Sequence, residues 1–161
     1  MTEDHVSGII REWQRERPDL DVSPVGVIGR LHRLALALTD QLAVVYREHG
    51  LTEGEFDVLA TLRRVGEPYE RTPGDLAMHT MVTTGAMTKR IDRLEDAGLV
   101  TRRVSRRDGR GRVVALTAAG RERIDRAFEA HIANEHRLVA ALDPDDRRAI
   151  ETILARWLAK L

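Results

Sequence analysis

Apolar residues at Val6, Ile9, Ile10 and Trp13 recur with the spacing of one helix face, and the pattern stops at Pro18, which predicts a short amphipathic N-terminal helix. After the turn-like stretch Asp19 to Pro24, a longer stripe runs through Val27, Ile28, Leu31, Leu34, Ala35, Leu38, Leu42 and Val45 and ends before Gly50, a residue suited to the position after a helix. Thr52-Glu53-Gly54-Glu55 has the spacing in which a threonine hydroxyl and a glutamate carboxylate satisfy the free amides of a helix start, so a helix through Phe56, Leu59 and Leu62 follows. Thr72-Pro73-Gly74-Asp75 is a second start signal, with proline at the first helical position and aspartate near the positive helix end. It opens a short helix through Leu76, Ala77 and Met78.

Four or five residues later Thr83 or Thr84 caps another helix, which turns Ala86, Met87, Ile91 and Leu94 inward and ends at Ala97-Gly98. Two helices joined so closely predict a helix-turn-helix. Leu99 to Val104 and Arg112 to Leu116 read as strands around a turn containing Asp108-Gly109, and a hairpin directly after a helix-turn-helix is a wing. Thr117 caps a helix carrying Ile124, Phe128, Ile132, Leu138 and Val139. Asp143-Pro144-Asp145-Asp146 starts the last one, with Ile150, Ile153, Leu154, Trp157, Leu158 and Leu161. The predicted class is mainly α (α+β). The winged helix-turn-helix spans 53–116, an N-terminal extension helix 1–24, and a helical dimerisation region 25–52 with 117–161. The apolar faces at both ends call for a partner chain, so a homodimer is expected.

Composition sharpens this outline in four respects. The 161 residues suit one integrated domain. No apolar run approaches the roughly 20 residues of a membrane span and no signal peptide opens the chain, so a cytoplasmic protein with no membrane partner is expected. Cysteine is absent, which excludes disulfides, thiolate metal sites and thiol redox sensing. The formal net charge of zero hides a segregation: residues 89–112 hold nine basic and four acidic side chains, and residues 1–60 hold six basic and eleven acidic ones. A local basic patch neutralises phosphates whatever the total charge, so double-stranded DNA is the expected partner.

The second helix of the pair belongs in the major groove, with Thr83, Thr84, Thr88 and Lys89 as the candidates at its leading end. Arg106, Arg107 and Arg110 crowd the hairpin tip, suited to the electronegative minor groove, with Asp108 structuring the wing. The histidines form no ligand-spaced cluster, and no phosphate loop, nucleophile elbow or catalytic pair is present, so neither a metal nor an enzyme is expected.

LTEGEFDVLATL, RTPGDLAMHTMVTTGAMTKRIDRLEDAGLVTRR and RRDGRGRVVALTAAG together resemble the MarR family of bacterial repressors over about residues 25–161. The resemblance implies repression by occupancy of a pseudo-palindromic promoter site, the regulator's own and that of a neighbouring efflux gene. The family wing usually reads D-R-R; here Gly109 replaces the first arginine, leaving Arg110 as the implied minor-groove residue. The chain is more similar still to the PecS/HucR-like, urate-responsive branch. That resemblance implies a ligand site of Trp13, Asp57, Arg90 and Arg102, with urate as effector and no cofactor. The chemistry suits a planar purine anion, which calls for an aromatic wall, guanidinium groups and an orienting carboxylate. The ordinary readings stand beside it: Trp13 as a packing residue, Asp57 on a solvated face, Arg90 and Arg102 on phosphates. Alternatives are a same-fold repressor answering to another aromatic anion, a winged-helix protein-interaction module, and, last, a purine-handling enzyme.

Overall fold

Local start signals place most of the helices. The computed structural model describes residues 4–80, 84–104 and 111–161, of which 84–86 are described by backbone alone; within them the chain divides into two units, residues 1–41 and 42–161. The border falls inside a helix, so each unit is described separately.

In the first unit, α1 (His5–Glu16) is capped by the Asp4 carboxylate, which accepts from the Ser7 amide at 2.9 Å. The same carboxylate takes two bonds from Arg30, at 2.7 and 3.0 Å, and Arg30 also donates to Ser7 Oγ and to the Gly26 carbonyl. Arg30 belongs to α2 (Val25–Glu48). Val6 is buried where α1 meets α2 at Gly29, whose missing side chain would come within 3.2 Å of a Val6 methyl. Trp13 is 51% exposed. Val27, Ile28, Leu34 and Leu36 also remain exposed.

The second unit begins in the last turns of α2, which end at Gly50 with φ +68°. The expected capping box opens α3 (Glu53–Arg64): Thr52 Oγ accepts from the Glu55 amide, and the Glu55 carboxylate accepts from the Thr52 amide at 2.9 Å. A two-residue strand β1 (Glu70–Arg71) follows, then α4 (Pro73–His79), whose start is capped by Thr72. Next come α5 (Thr84–Asp96), closed by Gly98 at φ +69°, and strands β2 (Val100–Val104) and β3 (Arg112–Leu116). The strands pair antiparallel from Val100↔Leu116 to Val104↔Arg112, and β1 adds to the far edge of β3 in the order β1-β3-β2. Two long helices complete the chain, α6 (Ala118–Val139) capped by Thr117 and α7 (Pro144–Leu158) capped by Asp143.

One core joins α3, α4, α5, the strands and α6 through Leu59, Leu62, Leu76, Ile91, Leu94, Val114 and Ile124. At its edge the rings of Tyr46 and Phe56 stack at 4.3 Å, with His131 and Phe128 against them. Gly120 explains the glycine of the LTAAG motif: a Cβ there would meet the Leu99 carbonyl at 1.9 Å, so only glycine lets α6 start against β2. By contrast α7 buries none of its residues, and Ile150, Ile153 and Leu158 stay exposed.

Candidate nucleic-acid interface and effector site

The second helix of the pair, α5, is held from behind by polar ties as well as by apolar contacts. With Met87, Ile91 and Leu94 inward, Thr88 and Lys89 stand exposed near the start of α5. Arg93 donates to Glu55 at 2.8 Å, fixing α5 to the first turn of α3. Burial pushes the Glu55 carboxyl up, but the Thr52 amide, its hydroxyl and Arg93 outweigh it and hold the group below its ordinary value. Arg64 donates to the His79 carbonyl at 2.8 Å, joining the ends of α3 and α4. On the wing side, Arg103 donates to Glu70 at 2.7 and 3.1 Å. That carboxylate is only 6% exposed and ties β2 to β1 across β3. Thr117 Oγ donates to the Gly98 and Leu99 carbonyls and accepts from the Gly120 amide, joining the end of α5, the entry to β2 and the start of α6.

Of the expected DNA-contacting residues, Thr88 and Lys89 are placed on this exposed face. Thr83, Arg106, Arg107 and Arg110 lie outside the described residues, as do the wing residue Asp108 and the side chain of Thr84.

Arg90 lies half-buried on the side of α5 that faces α3. Its guanidinium covers Gly54 so closely that a Cβ there would sit 2.1 Å from Nε and 2.6 Å from Cζ. Its Nη1 is buried and has no hydrogen-bond partner among the described residues. Asp57 is half-buried three residues beyond Gly54, hence on the same face of α3. Its charge, after those of Glu53 and Glu135, adds to burial in raising the Tyr46 hydroxyl pKa. Trp13 belongs to the first unit.

Arg102 is placed differently. Its guanidinium bridges two carboxylates of α5, Nη2 to Asp92 and Nη1 to Glu95, and its backbone amide donates to Glu95 at 2.8 Å. Counting about 100° per residue, Asp92 and Glu95 lie roughly 200° and 140° around α5 from Arg90. The structure therefore holds Arg90 and Arg102 on different sides of the helix. Glu95 is kept below its ordinary pKa, first by the Arg102 amide and then by its guanidinium.

Sequence reasoning passed over Gly54, Asp92, Glu95 and Glu70. Asp92 and Glu95 counted only as charges offsetting the basic segment, and Glu70 was not singled out at all. The three-residue spacing of Asp92 and Glu95, with arginine at the next strand, was the available signal.

Two helices, the second exposing Thr88 and Lys89, followed at once by an antiparallel pair of strands define a winged helix-turn-helix, a DNA-binding class. The chain matches the MarR family profile over residues 49–111. It is 38% identical over 151 residues to the HTH-type transcriptional regulator PecS of Dickeya dadantii, covering 94% of this chain and 91% of that protein. With the HTH-type transcriptional repressor Rv2887 of Mycobacterium tuberculosis it shares 32% identity over 84% of this chain and 94% of that one. The solved structure of Rv2887 with p-aminosalicylic acid superposes with a TM-score of 0.62, over 79% of this chain and 94% of that chain, at 31% identity. The structure of AbsC, a MarR family regulator of Streptomyces coelicolor, gives a TM-score of 0.75 at 26% identity, over 88% and 98% of the two chains. The chain belongs to the MarR family and is a transcriptional regulator, not an enzyme. No helix of the described residues is long and apolar enough to cross a membrane.

Proposed function

We propose that the protein is a homodimeric repressor that occupies a pseudo-palindromic operator and releases it when an anionic purine, urate, binds. The observation that carries the ligand half is Arg90. A guanidinium with a buried, unpartnered Nη1 lies across the first turn of α3, where the helix dipole is positive and a second cation is unfavourable. An anion beside Nη1 gives that nitrogen the acceptor it lacks. Asp57 supplies an acceptor for ring N–H groups on the same face of α3, while the aromatic wall of Trp13 and the second guanidinium of Arg102 rest on the sequence resemblance.

For the DNA half, the support is the exposed Thr88 and Lys89 and the basic segment that follows them. The exposed apolar side chains of α7 favour an isologous contact between two copies, which sets half-sites about 10 bp apart or a multiple of it. The test is binding of the protein to the duplex upstream of its own gene, at fixed moderate salt, with urate titrated in. Release by urate but not by control anions supports the reading, and tight binding that urate leaves untouched removes the ligand half.

A second reading, release by an aromatic carboxylate, is favoured by the p-aminosalicylic acid bound to Rv2887. Trp13→Ala discriminates: it abolishes the urate response if the added helix walls the pocket, and leaves a carboxylate response intact if the pocket lies elsewhere.

A further inference from the structure

A helix that lies against polyanionic DNA gains nothing from bare carboxylates on its exposed surface, yet α5 carries three, Asp92, Glu95 and the terminal Asp96. Asp92 follows Thr88 by four residues, so both stand on one face, and Glu95 continues the line one turn further. Their side chains are 52% and 36% exposed. A single residue from outside the helix covers both Asp92 and Glu95: Arg102, at the third position of the wing strand, spreads its two terminal nitrogens between them. Its backbone amide adds a third bond, to Glu95. Surface ion pairs of this kind contribute little to folding, so their value has to be sought elsewhere.

We propose that Arg102 is a positioning residue for DNA binding, which masks the Asp92 and Glu95 carboxylates on the reading helix and sets the wing strand against it. The proposal rests on the reading of α5 as the DNA-contacting helix. With Arg102 in place the three side chains carry a net charge of −1; without it, −2 faces the phosphates. The wing strand and the reading helix then also lose the fork that holds them together. Any anion that draws Arg102 away from the pair unmasks the carboxylates, so such a ligand weakens DNA binding through charge without occupying the DNA contact.

The experiment measures affinity for the upstream duplex over a range of salt concentrations. It compares the unchanged chain with Arg102→Gln, Arg102→Lys, the double variant Asp92→Asn with Glu95→Gln, and the triple variant combining that pair with Arg102→Gln. Arg102→Gln weakens binding by about tenfold, as expected for two unmasked charges at a phosphate interface. Arg102→Lys, which keeps the charge, loses less, and the double variant binds at least as well as the unchanged chain. The triple variant recovers to within about threefold, because the charges that needed masking are gone. A triple variant as weak as Arg102→Gln, with a salt dependence reduced by about one phosphate contact, overturns the proposal in favour of direct contact between Arg102 and DNA. An unaffected Arg102→Gln overturns it as well, while failure of the unchanged chain to bind any duplex overturns the DNA reading on which it rests. Circular dichroism melts that agree across the set exclude unfolding as the cause.

Discussion

The guanidinium of Arg90 lies directly across Gly54, with no room between them for a methyl group. The contact joins the reading helix to the first turn of α3 through the flexible end of a long side chain, so it gives way without breaking the backbone. Gly54→Ala therefore displaces Arg90 and leaves the fold intact. Helix propensity favours alanine by up to about 1 kcal/mol, so the melting temperature holds or rises. Urate affinity, measured by calorimetric titration, falls on the order of tenfold, the equivalent of one charge-assisted hydrogen bond. A urate response that survives the displacement removes Arg90 from the ligand site.

Gly120 gives the opposite outcome. A Cβ there meets a backbone carbonyl, that of Leu99, which cannot swing aside. Gly120→Ala is expected to destabilise the protein by about 1–3 kcal/mol in a urea unfolding experiment, the usual cost of overpacking. An unchanged midpoint would show that α6 can slide away from β2.

Tyr46 supplies a pH test. Burial first, then the charges of Glu53, Glu135 and Asp57, push its hydroxyl pKa up to about 12. A raised folded-state value means that the stabilising contribution is complete below the unfolded value near 10 and is lost as pH rises through the folded one. In a Tyr69→Phe variant, absorbance at the phenolate band should titrate with a midpoint near 12, and stability should fall across the window from 10 to 12. Titration near 10 in the folded protein would place the Tyr46 hydroxyl in water.

Asp4 supplies the acid counterpart. The Arg30 side chain first, and then the Ser7 amide, hold its carboxyl well below the usual carboxylate range. A depressed folded-state value contributes stability above the unfolded pKa, and this is lost as pH falls through the folded one. Hydrogen exchange of residues 5–16 is thus expected to stay slow down to strongly acid pH and to quicken at neutral pH in Asp4→Asn. Equal protection in the variant would show that Val6 packing alone seats α1.

What could be read from the sequence follows from the range of the forces involved. Thr52, Thr72, Thr117 and Asp143 all cap the helices they were expected to cap, because a cap is settled within a few residues. Strand β1 left no trace in the pattern, since Glu70 and Arg71 become a strand only by pairing with β3. Leu99 was expected in the hairpin but instead closes α5, its amide bonded to the Leu94 carbonyl. Gly54 read as a filler inside a capping box; its role depends on Arg90, far along the chain. The same holds for Arg102. The family resemblance put it in a ligand site, and although the spacing of Asp92 and Glu95 was there to be read, the bridge itself forms only when strand and helix are brought together.

Thr117 carries a mechanical consequence. Its hydroxyl fastens the end of the reading helix, the root of the wing and the first turn of α6 at one point. From that point α6 extends for 22 residues, a rod of about 33 Å. A rotation of only 5° about such a pivot sweeps the far end through about 3 Å. The arrangement is geared: a slight turn of the reading head becomes a displacement at the tip of the arm large enough to break side-chain contacts there. Run in reverse, a clasp that keeps the arm's tip still also keeps the reading head aimed.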